Sequence, residues 1–343
     1  MDLTQLKTES PLVFGFAESR IGGRAENQDS FAWADTPIGF LITVCDGMGG
    51  GPGGKTASFI AVNEIIAGVM EADQQEETAN ILIKAIRRAN MAIITRGNEQ
   101  PELKGMGSTC TVALINSKFA TIAHVGDSRV YQFRGRTKIF RTFDHSMVFD
   151  LVKQKVITEE QARLSAQSNV ITRALGIKPD LEVEILERPF EAGDRFLLCT
   201  DGIHGSIEEK RLIKQVTNRK IALGPVVDGI ATEIDNIGRI SGGGHDNLTL
   251  AIIETKLNSI KKDSMSKKIK QILLAIGAVC IISIAANIFL TITTIGQSNT
   301  LKDLGDQEIL MHTNDSLIGE IKKTELKRTE DSAKIEAIIQ ELE

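Results

Sequence analysis

Two hydrophobic periods alternate along this chain. Phe40 to Cys45 is an unbroken apolar run with β-branched Ile42, Thr43 and Val44, which predicts a buried strand ending at Cys45. It stops at Asp46-Gly47 and gives way to glycine, which fills five of the six positions from Gly49 to Gly54. Helical spacing takes over in 56–70 and 78–96, where Ile81, Ala85, Ala89 and Ala92 trace one face. From Gly107 the period shortens again. CTVALIN, FATIAHVGDSRVYQFRG and TKIFRTF, parted by short turns, predict antiparallel hairpins with Gly126-Asp127 at a tip. Residues 147–167 are polar with helical character, with a helix start at Thr158-Glu159-Glu160, and predict an insertion over the sheet edge. Phe196 to Thr200 is a second buried run that enters Asp201-Gly202, repeating the Val44–Gly47 pattern. Helices around 208–216 and 225–237 follow, and Gly242 to Asn247 opens a last strand, LTLAIIE.

The pattern changes in kind after Glu254. No charged residue occurs from Ile272 to Ile295, and about 20 apolar residues suffice to cross a bilayer. A transmembrane helix is therefore expected over 271–296. Lys256, Lys261, Lys262, Lys267, Lys268 and Lys270 precede it, and Lys302 is the only nearby basic residue after it. The positive-inside rule puts the preceding domain in the cytoplasm of a single-pass cell-membrane protein. The expected divisions are a catalytic domain over 1–258, a basic juxtamembrane linker over 259–270, the span over 271–296 and an exterior amphipathic tail over 297–343.

A formal charge of -5 on 343 residues, with few aromatics, disfavours nucleic acid as a partner. Cys45, Cys110, Cys199 and Cys280 are far apart in apolar runs, which suits reduced core thiols. The glycine-rich stretch admits two readings. Gly49, Gly54, Lys55 and Thr56 match G-x-x-x-x-G-K-T, the loop that cradles phosphates in nucleotide hydrolases. Asp46, however, would set an anion beside those phosphates, and the surrounding elements are hairpins where βαβ units would carry such a loop. The second reading is a metal cradle. Asp29, Asp46, Asp127, Asp201 and Asp246 each lie at a bend at the edge of an apolar run, and the bends of an antiparallel sandwich can converge at one end. Carboxylates so gathered repel one another unless cations neutralise them. Oxygen ligands without paired histidines or thiolates favour Mg²⁺ or Mn²⁺.

RAENQDS, VCDGMGG, GSTCTVALI, AHVGDSRVY, ITRALG, LLCTDGI and GGHDNLTL stand in the order and approximate spacing of the metal-dependent Ser/Thr protein phosphatases, type 2C or PPM. The resemblance covers roughly residues 12–255 and is nearest to bacterial members. It implies an α+β fold, a four-layer α-β-β-α sandwich of two antiparallel sheets flanked by helices, here followed by one transmembrane helix. It also implies two Mn²⁺ or Mg²⁺ ions. Asp46 would bridge them, the Gly47 carbonyl would contact one, and Asp201 and Asp246 would hold the other. Asp29 fits an acidic position at or behind the metal shell, and Asp127 matches the ligand of a third, weaker ion. Arg24 matches the arginine that grips the substrate phosphate, and 146–169 falls where bacterial members carry a flap. Met48 departs from eukaryotic relatives, which often have a proton-donating His there; His124, His145, His204 and His245 read as structural. The activity implied is hydrolysis of phosphoserine and phosphothreonine in proteins, opposing a Ser/Thr kinase in signalling. Competing readings are a membrane-tethered pseudophosphatase that binds phosphoproteins, the phosphate-loop NTPase, and a scaffold on a coiled stalk.

Overall fold

The computed structural model describes residues 5–49, 52–165, 167, 170–259, 283, 286–291, 293 and 307–342. The chain divides into two units, Met1–Lys261 and Lys262–Glu343.

The first unit is a sandwich of two antiparallel sheets. One sheet runs in the order β1 (Gln5–Glu9), β2 (Val13–Arg20), β12 (Leu248–Thr255), β11 (Arg195–Cys199), β8 (Arg129–Arg134), β9 (Thr137–Arg141). The other runs β10 (Glu184–Arg188), β7 (Ala120–Val125), β6 (Cys110–Ile115), β4 (Gly39–Met48), β3 (Asp29–Thr36), with the short β5 (Gly107–Ser108) paired to the end of β4. The apolar run of β4 is continuous because both of its faces are covered. Phe40, Ile42 and Val44 point into the core between the sheets, while Leu41 and Cys45 point to a second core beneath α1 (Pro52–Met70) and α2 (Thr78–Glu99). In β11, Phe196 and Leu198 face the central core and Leu197 and Cys199 face a third, under α6 (Glu209–Val216) and α7 (Leu223–Ile240). Three apolar cores between four layers, two of helices and two of sheet, give the α-β-β-α order expected.

Three local expectations are corrected. The strand expected to stop at Cys45 continues to Met48, because Gly47 and Met48 find backbone partners in Ser108 and Gly107. The tip assigned to Gly126-Asp127 is not a hairpin. β7 and β8 lie in different sheets, and Gly126, at φ 102°, turns the chain across the gap. The insertion holds two short helices, α3 (Met147–Lys153) capped by Ser146, and α4 (Glu159–Arg163) with a reciprocal capping box between Thr158 and Gln161. One-turn helix α5 (Asp201–His204) follows β11 directly.

In the second unit, α8 (Gln307–Leu342) is a single helix, and Ile318, Ile321 and Leu326 are exposed on it. Among the described residues no helix is long and apolar enough to cross a membrane. The span expected over 271–296 lies largely outside the described residues. Cys45, Cys110 and Cys199 are buried free thiols, as expected, and Cys280 lies outside the described residues.

Candidate metal centre

Antiparallel pairing brings the carboxylates to one end of the sandwich. Asp29 opens β3 directly opposite Asp46 near the end of β4. In the other sheet, Cys199 at the end of β11 pairs with Leu250 near the start of β12 and with Arg129 at the start of β8. Asp201, Asp246 and Asp127 therefore emerge on that same edge. The loop before β3 carries Arg24, whose Nη2 donates to Asp246 Oδ2 at 2.9 Å.

Backbone contacts fix each of these groups. Asp46 N–H donates to Thr109 Oγ1 at 2.9 Å, and its carbonyl accepts from Thr109 N–H at 2.8 Å and Ser108 Oγ at 3.0 Å. Gly47 N–H donates to the Gln28 carbonyl at 3.2 Å. A Cβ on Gly47 would stand 2.0 Å from the Gly54 carbonyl oxygen, so the start of α1 can close against it only because no side chain is there. Thr200 Oγ1 donates to Asp29 Oδ2 at 3.0 Å. The His204 ring is buried against the Asp127 carbonyl, 3.0 Å from Nε2, and burial holds its pKa down to about 3, so it stays neutral.

The electrostatics carry the signature of crowded acids. Burial, then Asp29, Asp201, Asp127 and Asp246, raise Asp46 well above the usual carboxylate range. Burial pushes Asp29 up to about 7 against hydrogen bonds from Thr249 and Thr200, with Asp201 and Asp246 adding to the rise. Asp127 is pushed up to about 8 by burial, then by Asp201 and Asp144. Burial and Asp246 also raise Asp201. Such a set is stable as anions only beside cations. Its donors are carboxylate and carbonyl oxygens, which fits hard divalent ions such as Mg²⁺ or Mn²⁺. A cavity of about 590 Å³ opens from this edge beneath α3 and α4, lined by Asp127, Asp201, Asp246, Arg141 and Phe149 among others.

The structure thus brings Asp29, Asp46, Gly47, Asp127, Asp201, Asp246 and Arg24 together. The composition of apolar runs did not single out Asn247, which organises the site from beneath. Its Nδ2 donates to the carbonyls of Ile21 and Glu26 at 2.8 and 3.0 Å, and its Oδ1 accepts from Gln28 N–H at 2.9 Å. Lys55 of the phosphate-loop match pairs instead with Glu26 at 3.4 Å on the surface, in an antiparallel setting.

A second polar cluster lies at the base of the α3–α4 segment. His145 Nε2 is 3.2 Å from Glu184 Oε2, and fully buried His124 stacks on the His145 ring at 4.5 Å and 15°. Three such groups could hold a metal ion. Here, however, His145 Nδ1 accepts from Gly126 N–H at 3.2 Å, which leaves the proton on Nε2, and near-parallel rings cannot aim both lone pairs at one point. His145 ties the insertion to the Gly126 turn and to Glu184, while His124 lies 3.5 Å from Glu184 with both ring nitrogens buried and without a hydrogen bond.

Comparison with known proteins gives a consistent answer. The sequence profile of protein phosphatase 2C matches residues 18–225. The serine/threonine phosphatase stp of Listeria monocytogenes is 32% identical over 246 residues, covering 71% of this chain and 92% of that protein. Among solved structures, serine/threonine phosphatase Stp1 from Staphylococcus aureus superposes with a TM-score of 0.63 at 26% identity, covering 73% of this chain and 96% of that one. The catalytic domain of the serine threonine protein phosphatase PstP, solved in complex with two manganese ions, gives 0.58 at 29% identity, covering 71% and 99%.

Proposed function

The chain belongs to the protein phosphatase 2C family of serine/threonine phosphatases, and we propose that its carboxylate edge is a divalent-metal centre that hydrolyses phosphoserine and phosphothreonine in proteins. The observation that carries this reading is the convergence of Asp29, Asp46, Asp127, Asp201 and Asp246 at one edge, where burial and neighbouring acids raise the proton affinities of Asp29, Asp46, Asp127 and Asp201. Asp46, the Gly47 carbonyl, Asp201 and Asp246 would hold two Mn²⁺ or Mg²⁺ ions, with Asp29 behind them and Asp127 at a third. Bound there, the ions would acidify a water and neutralise the phosphoryl oxygens.

The remaining work falls to this chain's own groups. Arg24, half exposed and already aimed at an oxygen anion, would take two phosphoryl oxygens in its planar fork. Thr109, Ser108 and Thr200 hold Asp46 and Asp29 in place by donating to them or accepting from them. No side chain need act as nucleophile: Cys45 is fully buried, and burial lifts its thiol to about 12. Phosphate would thus be released without a phosphoenzyme.

We also assign 271–296 to a membrane span with the catalytic unit on the cytoplasmic side, opposing a Ser/Thr kinase. The uncharged run and the lysines before it support this. Retention of the full chain in the membrane fraction after alkaline carbonate washing tests it; release into the supernatant would remove the anchor.

The deciding assay for the activity is phosphate release from a phosphothreonine peptide with Mn²⁺ and with EDTA, beside Asp46→Asn. Metal-dependent release lost in the variant is the expected result. A folded protein that binds Mn²⁺ but releases no phosphate would overturn the reading in favour of a phosphoprotein-binding role.

A further inference from the structure

The segment that delivers Asp246 is held through its glycines by backbone contacts alone. Gly242, Gly243 and Gly244 all take positive φ, at 103°, 76° and 70°, and a Cβ on any of them would meet open space, while Gly243 N–H donates to the Gly238 carbonyl at 3.0 Å and the Gly244 backbone packs on Gly23. Three consecutive glycines are entropically costly to fix. Yet the next residues must place Asp246 for the centre and support the loop that carries Arg24.

His245 supplies the missing constraint. Its side chain is largely buried on α7, with Nε2 2.9 Å from Asp235 Oδ1. Asp235 is itself buried and is also paired to Arg239 one turn on. The ring lies flat on the helix at Gly238, where a Cβ would come within 2.1 Å of the imidazole. The His245 carbonyl then accepts from Gly23 N–H at 2.9 Å, and Gly22 passes so close that its Cβ would stand 2.1 Å from the Asp246 carbonyl oxygen. One ring therefore anchors two loops. His245 Nδ1 is buried without a hydrogen bond.

We propose that His245, pinned by Asp235 in a seat left open by Gly238, is a positioning residue that fixes Asp246 and the Arg24 loop for divalent-ion and phosphate binding. It touches neither ion nor substrate. The proposal rests on the metal-phosphatase reading, but its structural half stands apart from it. The ring should order residues 20–28 and 241–248 whether or not an ion is bound.

The test uses the full chain with three single variants, His245→Ala, Gly238→Ala and His245→Gln, and the double variant His245→Ala/Gly238→Ala. Hydrogen–deuterium exchange of the metal-free protein reads the anchor directly. Faster exchange in 20–28 and 241–248 is expected in His245→Ala and Gly238→Ala, with the rest of the sandwich unchanged. Electron paramagnetic resonance of free Mn²⁺ reads the consequence, an affinity lower by about 10-fold or more. In turnover, the Mn²⁺ concentration for half-activation and the peptide KM should rise while kcat at saturating Mn²⁺ stays within about 3-fold. Gly238→Ala removes no functional group, so it should reproduce His245→Ala by displacing the ring, and the double variant should be no worse than either. His245→Gln, which can still donate to Asp235, should recover part of the affinity. Unchanged exchange and Mn²⁺ affinity in the single variants, or additive losses in the double variant, would overturn the proposal. If the wild type binds no Mn²⁺ at all, the metal-phosphatase reading fails instead, and the exchange data alone judge the anchor.

Discussion

Asp29 and Asp46 face each other as direct partners across β3 and β4, two acids directly opposed where like charges are ordinarily destabilising. Burial, with Asp201 and Asp246, raises Asp29 to about 7, and burial, with Asp201 and Asp144, raises Asp127 to about 8, so the metal-free native state binds more protons than the unfolded chain above the usual carboxylate pKa of 3.8. Stability of the metal-free protein therefore falls as pH rises from about 4 towards 8, the reverse of a salt-bridged acid. Thermal unfolding in EDTA across that range should show Tm decreasing with pH. Mn²⁺ should flatten the slope, and Asp29→Asn should reduce it without metal.

Arg24 should matter more through its shape than its charge. Arg24→Ala is expected to lower kcat/KM for a phosphothreonine peptide by about 10²–10³, the scale of losing one aimed donor to a developing oxyanion. Arg24→Lys keeps the charge but loses the bidentate fork and should recover only a minor part. Steady-state kinetics at saturating Mn²⁺ measure both.

Lys55 gives the opposite expectation. Its ammonium is mostly exposed and its pairing with Glu26 spans 3.4 Å, a contact of the kind worth about 0–1 kcal/mol. Lys55→Ala should leave phosphate release within about twofold of wild type. A phosphate-loop enzyme would lose nearly all activity, so this single assay separates the two readings.

Arg129 and Asp144 form a buried two-pronged pair, with Nε and Nη2 at 2.7 and 2.6 Å from the two carboxylate oxygens. Arg129 also covers the ring of Phe149 from α3 at 5.0 Å. Removing one partner strands the other charge, at a cost of about 3–5 kcal/mol. Arg129→Ala should lower the urea midpoint by a corresponding amount, and loosen the α3–α4 segment before the sheets.

The unbroken apolar runs Phe40–Cys45 and Phe196–Cys199 made the central strands legible, because a strand covered on both faces leaves little room for polar positions. The acids at their ends were legible for the same reason: a carboxylate after such a run has left the core and must have company. The β4 extension to Met48 was hidden because its partner is a two-residue strand that only tertiary pairing creates. Asp127 looked like a hairpin tip because a glycine turn within one sheet and a glycine crossing between two sheets share the same letters. Asn247 carries three hydrogen bonds that link segments more than 200 residues apart, and no local pattern reports such a role.

The carboxylates come from both sheets, Asp29 and Asp46 from one, Asp201 and Asp246 from the other, and Asp127 from the strand-to-strand passage between them. An ion held there is a rivet through the whole sandwich, and its binding free energy is added to the cohesion of two layers that otherwise meet through apolar contact. Core and cofactor become one thermodynamic account. Truncating Phe196 or Val44, buried between the sheets, should be felt first as a thirst for more manganese.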